Sequence, residues 1–96
     1  MGIQEIISDQ KDQILAIATK YGARNIRIFG SVARGTADQS SDVDFLVDFE
    51  EDRNLFDLSG FLMDLQKLLH RKVDIVTEKG LHWYIKDDIL KEAKPL

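Results

Sequence analysis

Three stretches of the chain repeat apolar residues at the spacing of an amphipathic helix. The first covers residues 3–21 and ends before Gly22, a residue typical of a helix C-cap. The second runs from an N-cap at Asn54 to about His70, and the third from Leu81 to about Ala93. We expect the apolar stripe of the second helix to be core, with members Leu55, Leu58, Leu62, Leu65 and Leu69.

Shorter stretches alternate between apolar and polar residues, as half-buried strands do. They cover residues 25–29, 43–49 and 72–77. The order is α-β-(turn)-β-α-β-α, and the helix between the second and third strands predicts a crossover that makes them parallel. We therefore predict an α/β (α+β) fold, a small mixed β-sheet with helices packed on one face.

The second predicted strand places apolar and acidic residues on opposite faces. Val43, Phe45, Val47 and Phe49 share one face, whereas Asp42, Asp44, Leu46 and Asp48 share the other. Asp42 and Asp44 then have Cα atoms roughly 6.5–7 Å apart. Two carboxylates on one face repel each other unless a cation lies between them, and their hard oxygens suit Mg²⁺.

A third carboxylate interrupts the apolar run of the last strand, Val73–Asp74–Ile75–Val76. If that strand neighbours the second one, Asp74 converges with Asp42 and Asp44. Such a cluster could hold two metal ions and support an in-line displacement.

The segment before the acidic pair, residues 30–41, is rich in Gly, Ser, Thr and Asp and predicts a loop with one helical turn near residues 32–34. Gly30 ends a strand and lets a ligand approach the backbone, and Ser31 adds a hydroxyl at a helix start. These are the properties of a phosphate-binding turn. Ser40 and Ser41 are expected to turn the chain rather than to act as nucleophiles, since no base adjoins them.

Composition narrows the class of protein. Ninety-six residues suffice for one domain, which we take to span residues 1–96. No cysteine and two histidines exclude disulfides and thiolate sites and disfavour zinc. The net charge of −4 disfavours non-specific nucleic-acid binding. No signal peptide or membrane span is recognisable, so we expect a cytoplasmic protein.

Gly30–Ser31, ten further residues and then Asp42–x–Asp44 resemble the signature of the DNA polymerase β-like nucleotidyltransferase superfamily. The fuller form adds Arg34–Gly35 and Ser41, and is similar to the minimal nucleotidyltransferase (MNT) family, which includes MntA-type antitoxins. The motifs span about residues 25–77. Position 32 is Val, where many relatives carry a basic residue, which removes a possible phosphate contact.

This resemblance implies an activity and its residues. Asp42 and Asp44 match the metal-binding pair, and Asp74 matches the third carboxylate, which helps to deprotonate the acceptor hydroxyl. Gly30 and Ser31 match the triphosphate-binding turn, and Arg34 either contacts phosphate or braces the loop. The implied reaction is Mg²⁺-dependent transfer of AMP from ATP with release of pyrophosphate. MntA-like antitoxins modify a tyrosine of a HEPN-type toxin.

Two other functions are left open by the sequence. The protein could be a non-catalytic antitoxin that only binds its partner, or it could transfer the nucleotide to a small molecule, for which a homo-oligomer or a helical subunit would have to complete the pocket. We also expect Asp48 to be exposed to solvent. The aromatic run His82–Trp83–Tyr84 is expected to pack the last helix, with an exposed patch for a partner as the alternative.

Overall fold

The computed structural model describes residues 3–38 and 41–96; the turn predicted at Ser40 lies outside them. The helices are α1 (Ile3–Asp9), α2 (Lys11–Tyr21), α3 (Gly30–Arg34), α4 (Leu55–Leu69) and α5 (Trp83–Glu92). The strands are β1 (Ala23–Phe29), β2 (Val43–Phe49), β3 (Val73–Thr77) and β4 (Lys94–Pro95), and a 3₁₀ turn covers Glu78–Gly80.

The strands form one mixed sheet in the order β3-β2-β1-β4. β2 is parallel to β3 and antiparallel to β1, and β1 is antiparallel to β4. The α4 crossover therefore joins parallel neighbours as predicted, and the fold class is confirmed. β4 was not predicted, because two residues carry no periodic signal; its proline is tolerated at a sheet edge.

The core lies between one face of the sheet and helices α2 and α4. β2 supplies Val43, Phe45 and Val47, none of which has any exposed surface. The buried helical residues that join the same cluster are Ile14, Ala18, Phe61, Leu65 and Leu69. The alternation read from the sequence of β2 therefore correctly separates the core face from the face that carries the carboxylates.

The capping residues of the helices agree with the sequence. Gly22 ends α2 in the left-handed conformation, with φ of 77°. The Asn54 side chain accepts hydrogen bonds from the backbone N–H groups of Phe56 and Asp57, and the Asp57 carboxylate accepts one from the Asn54 N–H. This reciprocal pair satisfies N–H groups that the first turn of a helix leaves without partners.

The structure corrects three boundaries and two predicted core residues, Leu55 and Leu58, of which Leu58 is partly buried and lies outside the core cluster. The first predicted helix is broken at Gln10, and α1 turns so that the Gln4 amide donates to the Val32 carbonyl oxygen over 2.7 Å. β1 begins at Ala23, two residues early, because a bulge at Asn25 (φ 53°) disturbs the alternation. The last helix begins at Trp83, after the 3₁₀ turn.

Leu55, placed in the core by its spacing, is instead 77% exposed. It is the first residue of α4, and Phe61 takes a core place that the leucine stripe did not include. Among residues 3–38 and 41–96, no helix has the length and apolar character needed to cross a bilayer.

Candidate active site

Asp44 occupies the middle of the sheet, because β2 pairs with a neighbour on each side. Its register partners are Phe29, the last residue of β1, and Asp74 of β3. Residues directly opposite in neighbouring strands point to the same face, so Asp44 and Asp74 stand side by side on the face away from the core helices. The convergence expected from the sequence is what the register produces.

The turn after β1 brings Gly30 directly beneath Asp44. A Cβ atom added to Gly30 would lie 2.2 Å from Oδ2 of Asp44, which is well inside contact distance. The backbone of Gly30 also has φ of 75°, a conformation that glycine adopts without strain. Two independent reasons therefore require glycine at this position: the backbone conformation and the neighbouring carboxylate.

Partial burial and two neighbouring carboxylates raise the pKa of Asp44 to about 6. Partial burial is the largest cause, followed by the negative charges of Asp74 and Asp42, and a side-chain hydrogen bond with Asp74 adds to them. Asp42 is more accessible and pairs with Lys72, with 3.7 Å between Oδ2 and Nζ. The site thus concentrates negative charge that a cation would relieve.

The residues fit a magnesium ion that shares its coordination with a phosphate ligand. Within residues 3–38 and 41–96, no three Asp, Glu, His or Cys side chains are arranged as a complete metal site. Mg²⁺ is usually held by one or two carboxylates together with substrate phosphates and water, so a complete protein cage is not needed. Asp42 and Asp44 provide two such carboxylates on one strand face.

The glycine turn continues into α3, which ends in a tight cap. The N–H groups of Gly35 and Thr36 donate to the carbonyl oxygens of Val32 and Ser31 over 3.2 and 3.0 Å. The predicted helical turn near residues 32–34 is therefore present and begins two residues earlier, at Gly30. Its first turn carries Gly30 and Ser31, and its last residue is Arg34.

Arg34 is exposed and forms an ion pair, which is one of the alternatives that the sequence left open, with a partner that the sequence did not predict. Its Nη1 donates to Oε1 of Glu92, the last residue of α5. Glu92 is also close enough to add to the rise in the pKa of Asp44. No local pattern marks Glu92, because the pair joins residues 58 positions apart.

Asp48 is half-buried and paired, and the prediction of a freely solvated side chain is wrong. It accepts a hydrogen bond from the Asn25 amide and lies 3.5 Å from Nη2 of Arg27. Arg27 also donates to Glu78 over 3.2 Å, and its side chain is only 11% exposed. The register places Arg27 opposite Leu46, on the carboxylate face, so it offsets part of the acidity of that face.

A cavity of about 470 Å³ lies farther along the same face, at the carboxyl ends of β2 and β3. Its charged lining includes Arg24, Asp48, Glu51, Lys79 and Lys86. A second cavity, of about 280 Å³, lies beside α1, α3 and β4. Neither is lined by Asp42, Asp44 or Asp74, whose site is open to solvent.

The aromatic residues that begin α5 do not pack the helix, contrary to expectation. Trp83 is 85% exposed and Tyr84 is 64% exposed. The Tyr84 ring stacks on His82 at a centroid distance of 5.5 Å and meets Trp83 edge-on at 5.9 Å. The structure thus has the other arrangement that the sequence left open, an exposed aromatic patch on the surface.

Comparisons with known proteins agree with this geometry. Residues 11–96 match a family described as nucleotidyltransferase domain. The chain is 39% identical to MJ0435 of Methanocaldococcus jannaschii, which is provisionally named a protein adenylyltransferase, over 91% of this chain and 94% of the relative. It is 37% identical to the protein adenylyltransferase MntA of Thermococcus cleftensis, over 95% of this chain and 89% of that protein.

Solved structures share the fold. One is provisionally described as a minimal nucleotidyltransferase and is 42% identical to this chain, with a TM-score of 0.89. The match covers 100% of this chain and 97% of that one. A toxin-antitoxin crystal structure with AMP-PNP has a TM-score of 0.75 at 20% identity, over 88% of this chain and 70% of that one. At that identity the second likeness concerns the fold alone.

Proposed function

Because the chain belongs to the nucleotidyltransferase domain family and is a nucleotidyltransferase of the protein adenylyltransferase type, we propose that it transfers AMP from ATP to a hydroxyl group of a partner protein and releases pyrophosphate. The observation that carries this proposal is the position of Asp44, directly over the Gly30 backbone and beside Asp74. This adjacency supports a role for the Gly30 turn in phosphate binding and for Asp44 in metal binding.

Each residue of the site has a part in the proposed reaction. Asp42 and Asp44 would hold Mg²⁺, which would supply positive charge to neutralise the phosphates. The backbone of Gly30–Ser31 and the guanidinium of Arg34 hold the triphosphate. Asp74 is exposed, so an incoming hydroxyl group can reach it and give up its proton. The hydroxyl oxygen then bonds to the α-phosphorus while the bond to pyrophosphate breaks.

We propose that the acceptor is a HEPN-type helical toxin, which would make the chain the antitoxin of a cytoplasmic pair. Two relatives bear protein adenylyltransferase names, and a structural neighbour is a toxin-antitoxin complex. The open site of this chain also suits a protein acceptor, because such an acceptor brings its own binding surface. A small-molecule acceptor would need a pocket, and neither cavity described above reaches the carboxylates.

The test is incubation of the purified protein with Mg²⁺ and ATP, labelled in parallel on the α- or the γ-phosphate, together with host-cell lysate. We expect a protein band that retains the α-label and not the γ-label. The Asp42→Asn/Asp44→Asn double variant should lose that band. Asp52→Asn is the matched control, since it removes a carboxylate that is 82% exposed in the turn after β2.

The other outcomes separate the alternatives. Transfer of the γ-label instead would mean phosphoryl transfer and would contradict the proposal. No label, with a lysate protein still bound to the wild type and to the double variant alike, would identify a partner-binding module without catalysis.

A further inference from the structure

Glu92 and Arg34 link the last turn of α5 to the last turn of α3, the helix that follows the glycine turn. Arg34 retains 56% of its side-chain exposure, whereas Glu92 retains only 24%. The carboxylate is therefore the more fixed partner, and the arginine side chain is the one whose direction the pair can set. Arginine has five N–H donors, and a contact through Nη1 leaves others for a phosphate ligand.

The backbone around Glu92 is held from both sides. On the helix side, the N–H of the C-cap residue Ala93 donates to the Ile89 carbonyl oxygen over 2.9 Å, which closes the last turn of α5 around Glu92. After it, β4 pairs with Arg27 and Ile28 of β1, and the Leu96 N–H donates to the Ile26 carbonyl oxygen over 3.1 Å. β1 leads directly into Gly30, so one strand fixes both the glycine turn and β4, which begins two residues after Glu92.

Glu92 places a negative charge close to the proposed binding site of a polyanion, which calls for a physical explanation. Its partner Arg34 is the last residue of α3, the short helix that begins at Gly30 and Ser31. An unpaired carboxylate in this position would oppose triphosphate binding, whereas a carboxylate paired with arginine adds no net charge. The effect of Glu92 that is left to consider is the direction that it gives to the Arg34 guanidinium.

We propose that Glu92 is a positioning residue that holds the Arg34 guanidinium toward the triphosphate of the bound nucleotide. This inference rests on the proposed function, because Arg34 acts on phosphate only if the site binds a nucleoside triphosphate. Glu92 itself contacts Arg34 and not the substrate. Its removal should therefore weaken nucleotide binding and leave the chemical step almost unchanged.

The test combines steady-state kinetics of AMP transfer with titration of a non-hydrolysable ATP analogue in Mg²⁺. We expect Glu92→Ala to raise KM for ATP and Kd for the analogue about tenfold, with kcat within threefold of wild type. Glu92→Gln keeps an acceptor oxygen for Arg34 and should stay within about threefold in both constants. Lys91→Ala, an exposed neighbour on the same helix, is the control and should change neither.

A double-mutant cycle distinguishes positioning from a merely structural role. Glu92→Ala should have no further effect in an Arg34→Ala background, because the group that it positions is gone. Multiplied losses in the double variant, a lower KM in Glu92→Ala, or an equal fall in kcat and kcat/KM would each overturn the inference. If Glu92→Ala does not fold, as judged by circular dichroism, the cycle is measured with Glu92→Asp, whose shorter side chain should no longer reach Arg34 and should raise Kd.

Failure of the proposed function gives a different result. In that case the wild-type protein neither binds the analogue nor transfers AMP, and the inference falls with it. If the wild type does both and Glu92→Ala does both equally well, only the inference is overturned.

Discussion

Gly30 is the residue at which backbone path and chemistry depend on each other most directly. Its φ of 75° and the position of Asp44 Oδ2, 2.2 Å from where a Cβ would be, both exclude a larger residue. Gly35, the C-cap of the same helix, offers a close comparison. Its φ is 78°, but the nearest atom to an added Cβ is the Gln4 amide nitrogen at 3.7 Å.

We therefore expect Gly30→Ala and Gly35→Ala to differ in activity more than in stability. Gly35→Ala should lose about 1 kcal/mol of unfolding free energy, because alanine is strained at positive φ. Gly30→Ala should lose more than this and should also lose AMP transfer, because its methyl group displaces the Asp44 carboxylate. Urea unfolding and the transfer assay measure the two effects. Equal activity in the two variants would show that the carboxylate can move without consequence.

The raised pKa of Asp44 predicts how stability depends on pH in the metal-free protein. The folded state keeps this proton up to about pH 6, while the unfolded chain releases it near pH 3.8. The folded state thus binds more protons between these values, and the contribution of Asp44 to stability falls as the pH rises through them. Above pH 6 the full penalty applies; allowing for solvent screening, it is on the order of 1 kcal/mol.

Asp44→Asn isolates this contribution. In EDTA, the variant should be more stable than wild type by about 1 kcal/mol at pH 7.5, with the difference vanishing below about pH 4. Thermal unfolding of both proteins across this range provides the measurement. A variant that is less stable than wild type at pH 7.5 would mean that the carboxylate makes favourable contacts outweighing its crowding.

The residues of the site differ in how far the sequence could specify them. Asp42 and Asp44 share a strand face by local spacing, and an acidic pair in an apolar strand is conspicuous. The prediction of Asp74 requires one further inference, the parallel pairing of β2 and β3 that the α4 crossover indicates. To predict Glu92, one would have to know how α5 docks and how β4 pairs, and neither of these leaves a local pattern in the sequence.

At the scale of the element, α4 and α5 show that apolar composition and burial are separate properties. Phe61 of α4 has no exposed surface and contacts Phe49 edge-on, with 6.0 Å between the ring centroids. Trp83 of α5 is larger and is almost fully exposed. The periodic stripe of α4 indicated which face of this helix is buried. Periodicity gives no such indication for three consecutive aromatic or imidazole side chains at the start of a helix.

This difference predicts opposite effects of two truncations. Phe61→Ala should cost about 3–5 kcal/mol, because it leaves a cavity in the core. Trp83→Ala should change stability by no more than about 0.5 kcal/mol, because little of its surface is buried. Chemical unfolding curves of the two variants test both values. A large loss in Trp83→Ala would mean that the ring packs against the domain in solution.

At the scale of the whole molecule, the site is made from elements that are far apart in sequence and is completed by its ligands. The net charge is −4, and three carboxylates gather on one sheet face. Neither ATP nor Mg²⁺ alone suits this arrangement as well as the two together, because the metal offsets both the carboxylates and the phosphates.

Stability should therefore respond to the pair of ligands. At a concentration one hundred times Kd, a non-hydrolysable ATP analogue with Mg²⁺ should add about 2.7 kcal/mol, which raises Tm by roughly 10 °C or more in a domain of this size. The Asp42→Asn/Asp44→Asn variant should show almost no shift. A shift of similar size in EDTA would contradict the metal-dependent site, and differential scanning fluorimetry is sufficient to detect either result.

The mixed sheet was predicted from the order of the elements, but the strand order β3-β2-β1-β4 was not. Sequence pattern indicates which strands are parallel through their connections. It does not indicate that β1 continues the sheet on the far side of β2, because the segment between them gives no periodic signal. The fourth strand follows from tertiary pairing with β1, as the bulge at Asn25 does from pairing with β2.

The central place of β2 has a consequence for the fidelity of the site. A slip of this strand by one residue would turn Asp44 toward α2 and α4 and would expose Val43, Phe45 and Val47. Exposing three fully buried apolar side chains costs roughly 5–9 kcal/mol, which is comparable to the whole stability of a small domain. Misaligned chains are thus removed by failure to fold, and a folded molecule carries its acidic residues in the correct alignment.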